Sequence, residues 1–267
     1  CMFISGVGGT FCFLGTMKLA SRWFTGKNLA LVTGLIVTAA MIGGLIAQTP
    51  VAMLADAYGW RSIFLVLAIT EAFLCIWVAI IVKDKPDDLH IEKIQGLKEF
   101  KNSIIYALKT PTNWIGGIFT SALNLPVTVL GAIWGVPFLM QAHHFSRSDA
   151  SSVNGLIFIG MILGPPCAGW LSDKVKSRIF PMFLGSIISL TIILFMIFSH
   201  TQTHFIYNFL FLSLGFFSSV QILGYTIIIE HSKSEYAGAS LGLSAVIIMS
   251  GGTFMQPLFG KIMQWHW

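Results

Sequence analysis

Three amide side chains stand inside long apolar runs of this chain: Asn124, Gln221 and Gln256. Helical spacing gathers other small and polar residues about them. Thr120, Asn124, Thr128, Gly131 and Gly135 share one face; Ser218, Gln221 and Tyr225 recur at i, i+3, i+7, and so do Thr253, Gln256 and Gly260. The chemistry on offer is hydrogen bonding. An amide surrounded by hydrocarbon must find a partner, so these residues turn inward, toward either a cavity or a neighbouring helix. The threonines have a third option, because a hydroxyl often bonds the backbone of its own helix. Trp134 and Tyr225 could stack on a solute or simply pack.

Ionisable groups inside the apolar runs are scarce. Glu71 is the one acid well within such a run, roughly ten residues or about 15 Å from each end of the segment 62–82. Ala68, Ala72, Cys75 and Ala79 form a small-residue stripe that Glu71 borders, which places it against a neighbouring helix. It could carry a proton or make a structural hydrogen bond. His143 and His144 are adjacent, with Asp149 close in sequence. Neighbours on a helix point about 100° apart and do not readily bind one centre, so no catalytic site and no metal site is read there. Cys1, Cys12, Cys75 and Cys167 all lie in apolar stretches without paired spacing, and are expected as buried apolar residues with neither disulfide nor zinc. No cofactor is implied, and no phosphate-binding GxxxxGK[ST] loop occurs.

The elements that must position these residues follow from composition. Charged residues are 10% and apolar residues 55% of the 267. A soluble chain carries about a quarter charged residues, whereas a surface facing lipid needs no such cover. The net charge of +5 is spread singly and in short loops, with no basic stripe interleaved with aromatics, so nucleic acid is set aside and inner-leaflet lipid preferred. A membrane helix needs about 20 apolar residues. Eight spans are expected, at about 1–20, 28–54, 62–82, 113–141, 150–171, 179–199, 204–229 and 237–262. The polar stretch from Ser199 to His204 divides the sixth of these from the seventh. With alternate loops assigned to opposite sides, one side receives only Arg61, Arg147 and Lys261, and the other receives every remaining Lys and Arg. The basic side is cytoplasmic by the positive-inside rule. The fold class is thus an all-α, polytopic membrane protein. The chain opens on Cys1 and at once enters an apolar run, which reads as a fragment whose N-terminus has been lost.

One cytoplasmic loop, 83–112, is long and charged, and Pro86 breaks the helix before it. Ile91, Ile94, Leu97, Phe100, Ile104 and Leu108 then recur at helical spacing beside Lys93, Lys98 and Lys101. That is an amphipathic helix suited to the lipid interface, or a solvated connector. Three domains follow: 1–82, the linker 83–112, and 113–267.

The loop after the fifth span reads Gly169-Trp170-Leu171-Ser172-Asp173-Lys174-Val175-Lys176-Ser177-Arg178. It resembles the loop signature of the major facilitator superfamily, which that family carries between helices 2 and 3 and again between helices 8 and 9. The family's long cytoplasmic connector lies between helices 6 and 7. If 83–112 is that connector, the signature falls at the 8–9 loop, so the two assignments agree. "GWRSIF" at 59–64 resembles the start of helix 6, and "GGTFMQPLFGKI" at 251–262 resembles helix 11. The chain would then cover helices 4 to 11 of twelve, as part of the N-terminal half (helices 4–6) and of the C-terminal half (helices 7–11).

The resemblance implies two halves rocking about a substrate site near the bilayer midplane. It assigns Asn124, Thr128, Gln221, Tyr225 and Gln256 to substrate binding. Gly169, Asp173, Lys174 and Arg178 become a conformational latch. In it Gly169 allows close helix approach, and Lys174 and Arg178 hold the Asp173 carboxylate near Gly26, Lys27 and Asn28. Glu71 is a weak candidate for proton coupling, since helix 6 is peripheral in the family.

The expected activity is secondary active transport of a small polar or amphipathic metabolite, coupled to protons. The expected setting is a bacterial inner membrane, with the protein a monomer. Narrower classes fit less well. A sugar-porter sequence is replaced by "KDKPDD", residues 113–146 hold no Lys or Arg where organic-phosphate exchangers place Arg, and Ala47 and Gln48 replace the later Gly and Pro of the drug-antiporter signature begun by Gly34 and Gly43. The alternatives are a transporter-like solute sensor without flux, or a drug or metabolite exporter.

Overall fold

The computed structural model describes residues 8, 9, 12, 15, 16, 19, 23, 27–48, 50–82, 96–198, 203–233 and 236–266. Every regular element among them is helical. The chain divides into two compact units, one of Cys1–Gly43 with Pro50–Lys93 and the other of Gly44–Thr49 with Ile94–Trp267.

In the first unit α1 spans Lys27–Gln48, with its last residues counted in the second unit; α2 spans Pro50–Tyr58 and α3 spans Trp60–Ile81. The span expected at 28–54 is therefore two helices: Pro50 opens the second, where a missing backbone N–H costs nothing in the first turn. Gly59, at φ 81°, turns the chain from α2 into α3 through a conformation that side-chain-bearing residues rarely adopt. None of the residues of α3 is buried, and Glu71 is exposed like every other residue of the helix but the half-buried Ile63. The stripe of Ala68, Ala72, Cys75 and Ala79 thus has no described neighbour over it. The span expected at 1–20 lies largely outside the described residues.

The second unit contains the rest. The amphipathic α4 spans Gly96–Lys109. Then α5 (Pro111–Leu125), a π-helical segment (Pro126–Trp134) and α6 (Gly135–His143) form one rod of 33 residues. Next come α7 (Arg147–Val175) and α8 (Ile179–Phe198). A second composite rod runs from His204 to His231, as α9 (His204–Ser218), a 3₁₀ turn (Ser219–Gln221) and α10 (Ile222–His231). The last helix, α11, spans Ala237–His266. Six helices or rods among the described residues are long and apolar enough to cross a membrane. They correspond to the expected spans from 62–82 onward.

Large apolar side chains face outward. On α8, Phe183, Leu190, Leu194 and Ile197 are exposed while Pro181, Gly185, Ser189, Ile192 and Met196 form the single buried stripe. The interior holds small and polar residues beside Leu139, Ile157, Phe211 and Leu214. This distribution corrects the expectation for cysteine: Cys12, Cys75 and Cys167 are exposed. An apolar segment predicts burial only where the surroundings are water; with lipid outside, apolar residues belong equally on the surface.

Close approach is concentrated where α7 crosses α9. A Cβ at Gly160 would meet the Leu212 carbonyl and the Phe216 nitrogen, one at Gly164 would meet Ser219 and the Phe216 carbonyl, and one at Gly215 would meet the Ile157 carbonyl. Gly160 and Gly164 form a GxxxG pair, the spacing that lets helix backbones touch in lipid. No close approach occurs at Gly169, whose Cβ would meet nothing within 4 Å among the described residues.

Asn113 fixes the connector helix to this unit. Fully buried, it donates from Nδ2 to the Ala107 carbonyl at 3.0 Å and to Ser240 Oγ at 3.0 Å, joining α4, α5 and α11. Tyr106 stacks on Tyr236 at 4.8 Å. The apolar residues Phe100, Ile104 and Leu108 of α4 stay exposed, so the face that packs on protein is not the apolar one.

Gly215→Val should destabilise the full-length protein by about 1–3 kcal/mol through overpacking against backbone that cannot rotate away. Gly238→Ala, where a Cβ meets nothing within 4 Å, should leave the melting temperature in place. Thermal unfolding in detergent measures both.

Candidate functional sites

At the cytoplasmic end predicted from loop charge, α7 stops at Lys176, whose φ of 53° and backbone N–H bonded to the Asp173 and Ser172 carbonyls turn the chain back. That turn returns Arg178 to the helix it has just left. Its Nη1 donates to Asp173 Oδ1 at 2.6 Å and to the buried Ser172 Oγ at 3.0 Å. Its Nε and Nη2 reach Glu230 Oε1 at 3.3 and 3.0 Å. The hydrogen bonds that Arg178 donates to Asp173, and next to Glu230, raise its pKa further above an already high ordinary value. These groups with Ser177 and Lys176 line a cleft of about 360 Å³.

The arrangement keeps two of the expected latch residues together and releases two. Arg178 holds Asp173 as expected. Lys174 does not: its Nζ lies 4.8 Å above the Trp170 ring, because the turn at Lys176 points Arg178, not Lys174, at the carboxylate. A Cβ at Gly169 would meet nothing within 4 Å among the described residues. Gly26 and the side chains of Lys27 and Asn28 lie outside the described residues. Glu230, at the end of α10, is the member that sequence reasoning missed. The signal was available: an acid closing an apolar span on the same side as Arg178.

The second site lies in the interior. Gln256 is half-buried, and its Nε2 donates to the Thr128 carbonyl at 2.9 Å, so the structure joins two of the expected substrate residues directly. The Thr128 hydroxyl bonds its own helix, at the Asn124 carbonyl (3.1 Å) and the Leu125 carbonyl (3.3 Å). Asn124 is half-buried. Gln221 is buried with its amide on the Met161 sulfur at 3.8 Å, and its carbonyl accepts the Thr120 hydroxyl at 3.3 Å. Tyr225, one turn on, is half-buried. Trp134 packs on Phe259 with ring centres 5.8 Å apart and planes tilted by 55°, and its six-membered ring lies against Gly260.

Asn154 on α7 was not anticipated. It is 1% exposed, and its Nδ2 donates to the Gly131 carbonyl at 2.8 Å. The side chain enters where Gly135 has no Cβ.

The two adjacent histidines part: His144, at φ 56°, ends α6 with its side chain exposed, and His143 turns inward. His143 is buried with Nε2 2.7 Å from the Tyr207 hydroxyl, between Phe138 and Phe145. Asp149 belongs to the α7 cap, where Ser146 Oγ accepts its backbone N–H at 3.1 Å and donates to its Oδ2 at 2.6 Å. No group of His, Cys, Asp or Glu among the described residues could hold a metal ion.

Residues 1–257 match the family model described as the Major Facilitator Superfamily. The chain belongs to that superfamily. A "Probable hexose phosphate transport protein" of Chlamydia pneumoniae is 24% identical over 94% of this chain and 61% of its own length. The "Membrane sensor protein UhpC" of Escherichia coli (strain K12) is 25% identical over 99% of this chain and 64% of its own. Among solved structures, a bacterial homologue of the human lysosomal transporter Spinster, inward-facing and unoccupied, superposes with a TM-score of 0.62 at 16% identity, covering 92% of this chain and 58% of that one. The chain spans about six tenths of the length of these relatives. It is a multi-pass integral membrane protein of a family that is not enzymatic.

Side-chain exposures of 32% for Arg178, 44% for Glu230 and 74% for Asp173 place the ionic cluster in contact with water. Screening then limits its contribution to about 1 kcal/mol. Arg178→Ala in the full-length protein should therefore barely move the melting temperature. It should nevertheless speed labelling of a cysteine placed at Ser177 by a membrane-impermeant maleimide. Arg178→Glu combined with Glu230→Arg should slow that labelling relative to Arg178→Glu alone.

Proposed function

We propose that the full-length protein is a secondary active transporter, moving a small polar or amphipathic metabolite by alternating access and coupled to protons in a bacterial inner membrane. The observation that carries this reading is the Asp173–Arg178–Glu230 cluster. It ties the loop after α7 to the end of α10 within 113–267, and so shapes the cytoplasmic end of that half by contacts that water can replace at little cost. The interior supplies Asn124, Thr128, Gln221, Tyr225 and Gln256 as hydrogen-bonding groups, without a Lys or Arg in residues 113–146. Amides and hydroxyls of this kind suit a solute with several hydroxyl groups. The Chlamydia relative is named for a phosphorylated hexose, which has that character. The absence of a GxxxxGK[ST] loop from these 267 residues agrees with energy drawn from a gradient.

Counterflow in proteoliposomes tests the proposal, with labelled amino acids, short peptides, sugars, sugar phosphates and carboxylates, with and without an imposed pH gradient. Saturable counterflow of one class is expected, with accumulation against its gradient when the outside is acidified. A solute that binds and never crosses would replace the carrier with a sensor. Glu71→Gln should abolish proton-driven accumulation and spare exchange; uphill uptake unchanged in that variant would remove Glu71 from coupling.

A further inference from the structure

The rod that begins at Pro111 changes its winding in the middle. Over Pro126–Trp134 it is a π-helix, wider than the α-helices on either side. Prolines bracket it: Pro126 opens the segment, and Pro137 lies just beyond it, inside α6. Pro137 has no N–H to donate, and in a regular α-helix its ring would press on the Ile133 carbonyl, four residues back within the segment. At the end of the π segment the Gly135 N–H bonds the Leu130 carbonyl, five residues back. The Gly131 carbonyl, which would accept that N–H in an α-helix, is met instead by the Asn154 amide of α7. Three residues earlier the Thr128 carbonyl is met by the Gln256 amide of α11.

Two helices thus each send one amide to a backbone carbonyl of the same nine-residue segment. The access is built for it. Gly135 leaves the space that the Asn154 side chain occupies, and a Cβ there would collide with Asn154 Oδ1. The segment also bears Thr128, one of the proposed substrate residues, and Trp134.

We propose that Asn154 is a positioning residue for transport: together with Gln256 it fixes the register of the π segment, and so sets where α6 lies relative to α9 on the side opposite the ionic cluster. Shifting the segment from π toward α winding would carry α6 with it. The two amide–carbonyl bonds must then be remade, which links movement of that end to the cavity interior. The inference deepens the transport reading and rests on it for its role, but its geometry can be tested without any solute.

The test uses the full-length protein in a background without its native cysteines, with spin labels at Gln141→Cys on α6 and Phe205→Cys on α9. The unsubstituted segment should give one narrow distance distribution. Asn154→Leu, close in volume and without an amide, should broaden or shift it, and Asn154→Ser, which restores a donor, should narrow it again. Should Asn154→Leu fail to fold, Gln256→Leu frees the other carbonyl and should broaden the same distribution. With the solute that the counterflow panel identifies, Asn154→Leu should lower turnover roughly threefold to tenfold, the worth of one interhelical hydrogen bond, and leave KM in place. A distribution unchanged in folded Asn154→Leu overturns the proposal whatever happens to flux. A changed distribution in a protein that carries no solute sustains the positioning role and sinks the transport reading instead.

Discussion

Everything in the second unit is arranged around one constraint: a polar group inside hydrocarbon has to find its partner within the protein. The threonines and serines meet it locally. Thr128, Ser186, Ser244 and Thr253 each return a hydroxyl to a carbonyl of their own helix. Amides cannot do this so easily, and they reach across. Asn113 joins three helices, Asn154 and Gln256 hold the π segment, and Gln221 settles on a methionine sulfur. These cross-helix bonds are the ties that keep the helices in register.

The same surroundings explain the packing. Lipid gives apolar side chains no reason to be buried, so association of helices depends on contact between backbones and on these cross-helix bonds. Gly160, Gly164 and Gly215 bring α7 and α9 together, and Gly116 and Gly224 do the same for α5 and α10. The side chains that would dominate a soluble core, such as Phe183, Leu190 and Phe209, point outward.

At the water boundary the rule reverses. Asp173, Arg178 and Glu230 are close enough to pair and exposed enough to part. The strong ties lie deep in the unit, where Asn113, Asn154 and Ser218 are all but inaccessible, and the weak ones lie at its edge.

By itself the sequence determined the class of protein and the family. A charged fraction of 10%, apolar runs of membrane length and the Gly169–Arg178 loop are local properties, each written in a contiguous stretch. The expected spans from 62–82 onward therefore coincide with described helices, and Arg178 meets Asp173 as a pair five residues apart. Pairings between distant segments were settled only in three dimensions. Nothing local says that Glu230 completes the ionic cluster, or that Asn154 rather than Asn124 grips a backbone carbonyl of another helix. Amphipathicity showed which residues of a helix are polar, but in lipid it does not say which helix they meet. That choice depends on where glycines let backbones touch and on which cross-helix amides meet the π segment, and both are decided only once the helices are packed.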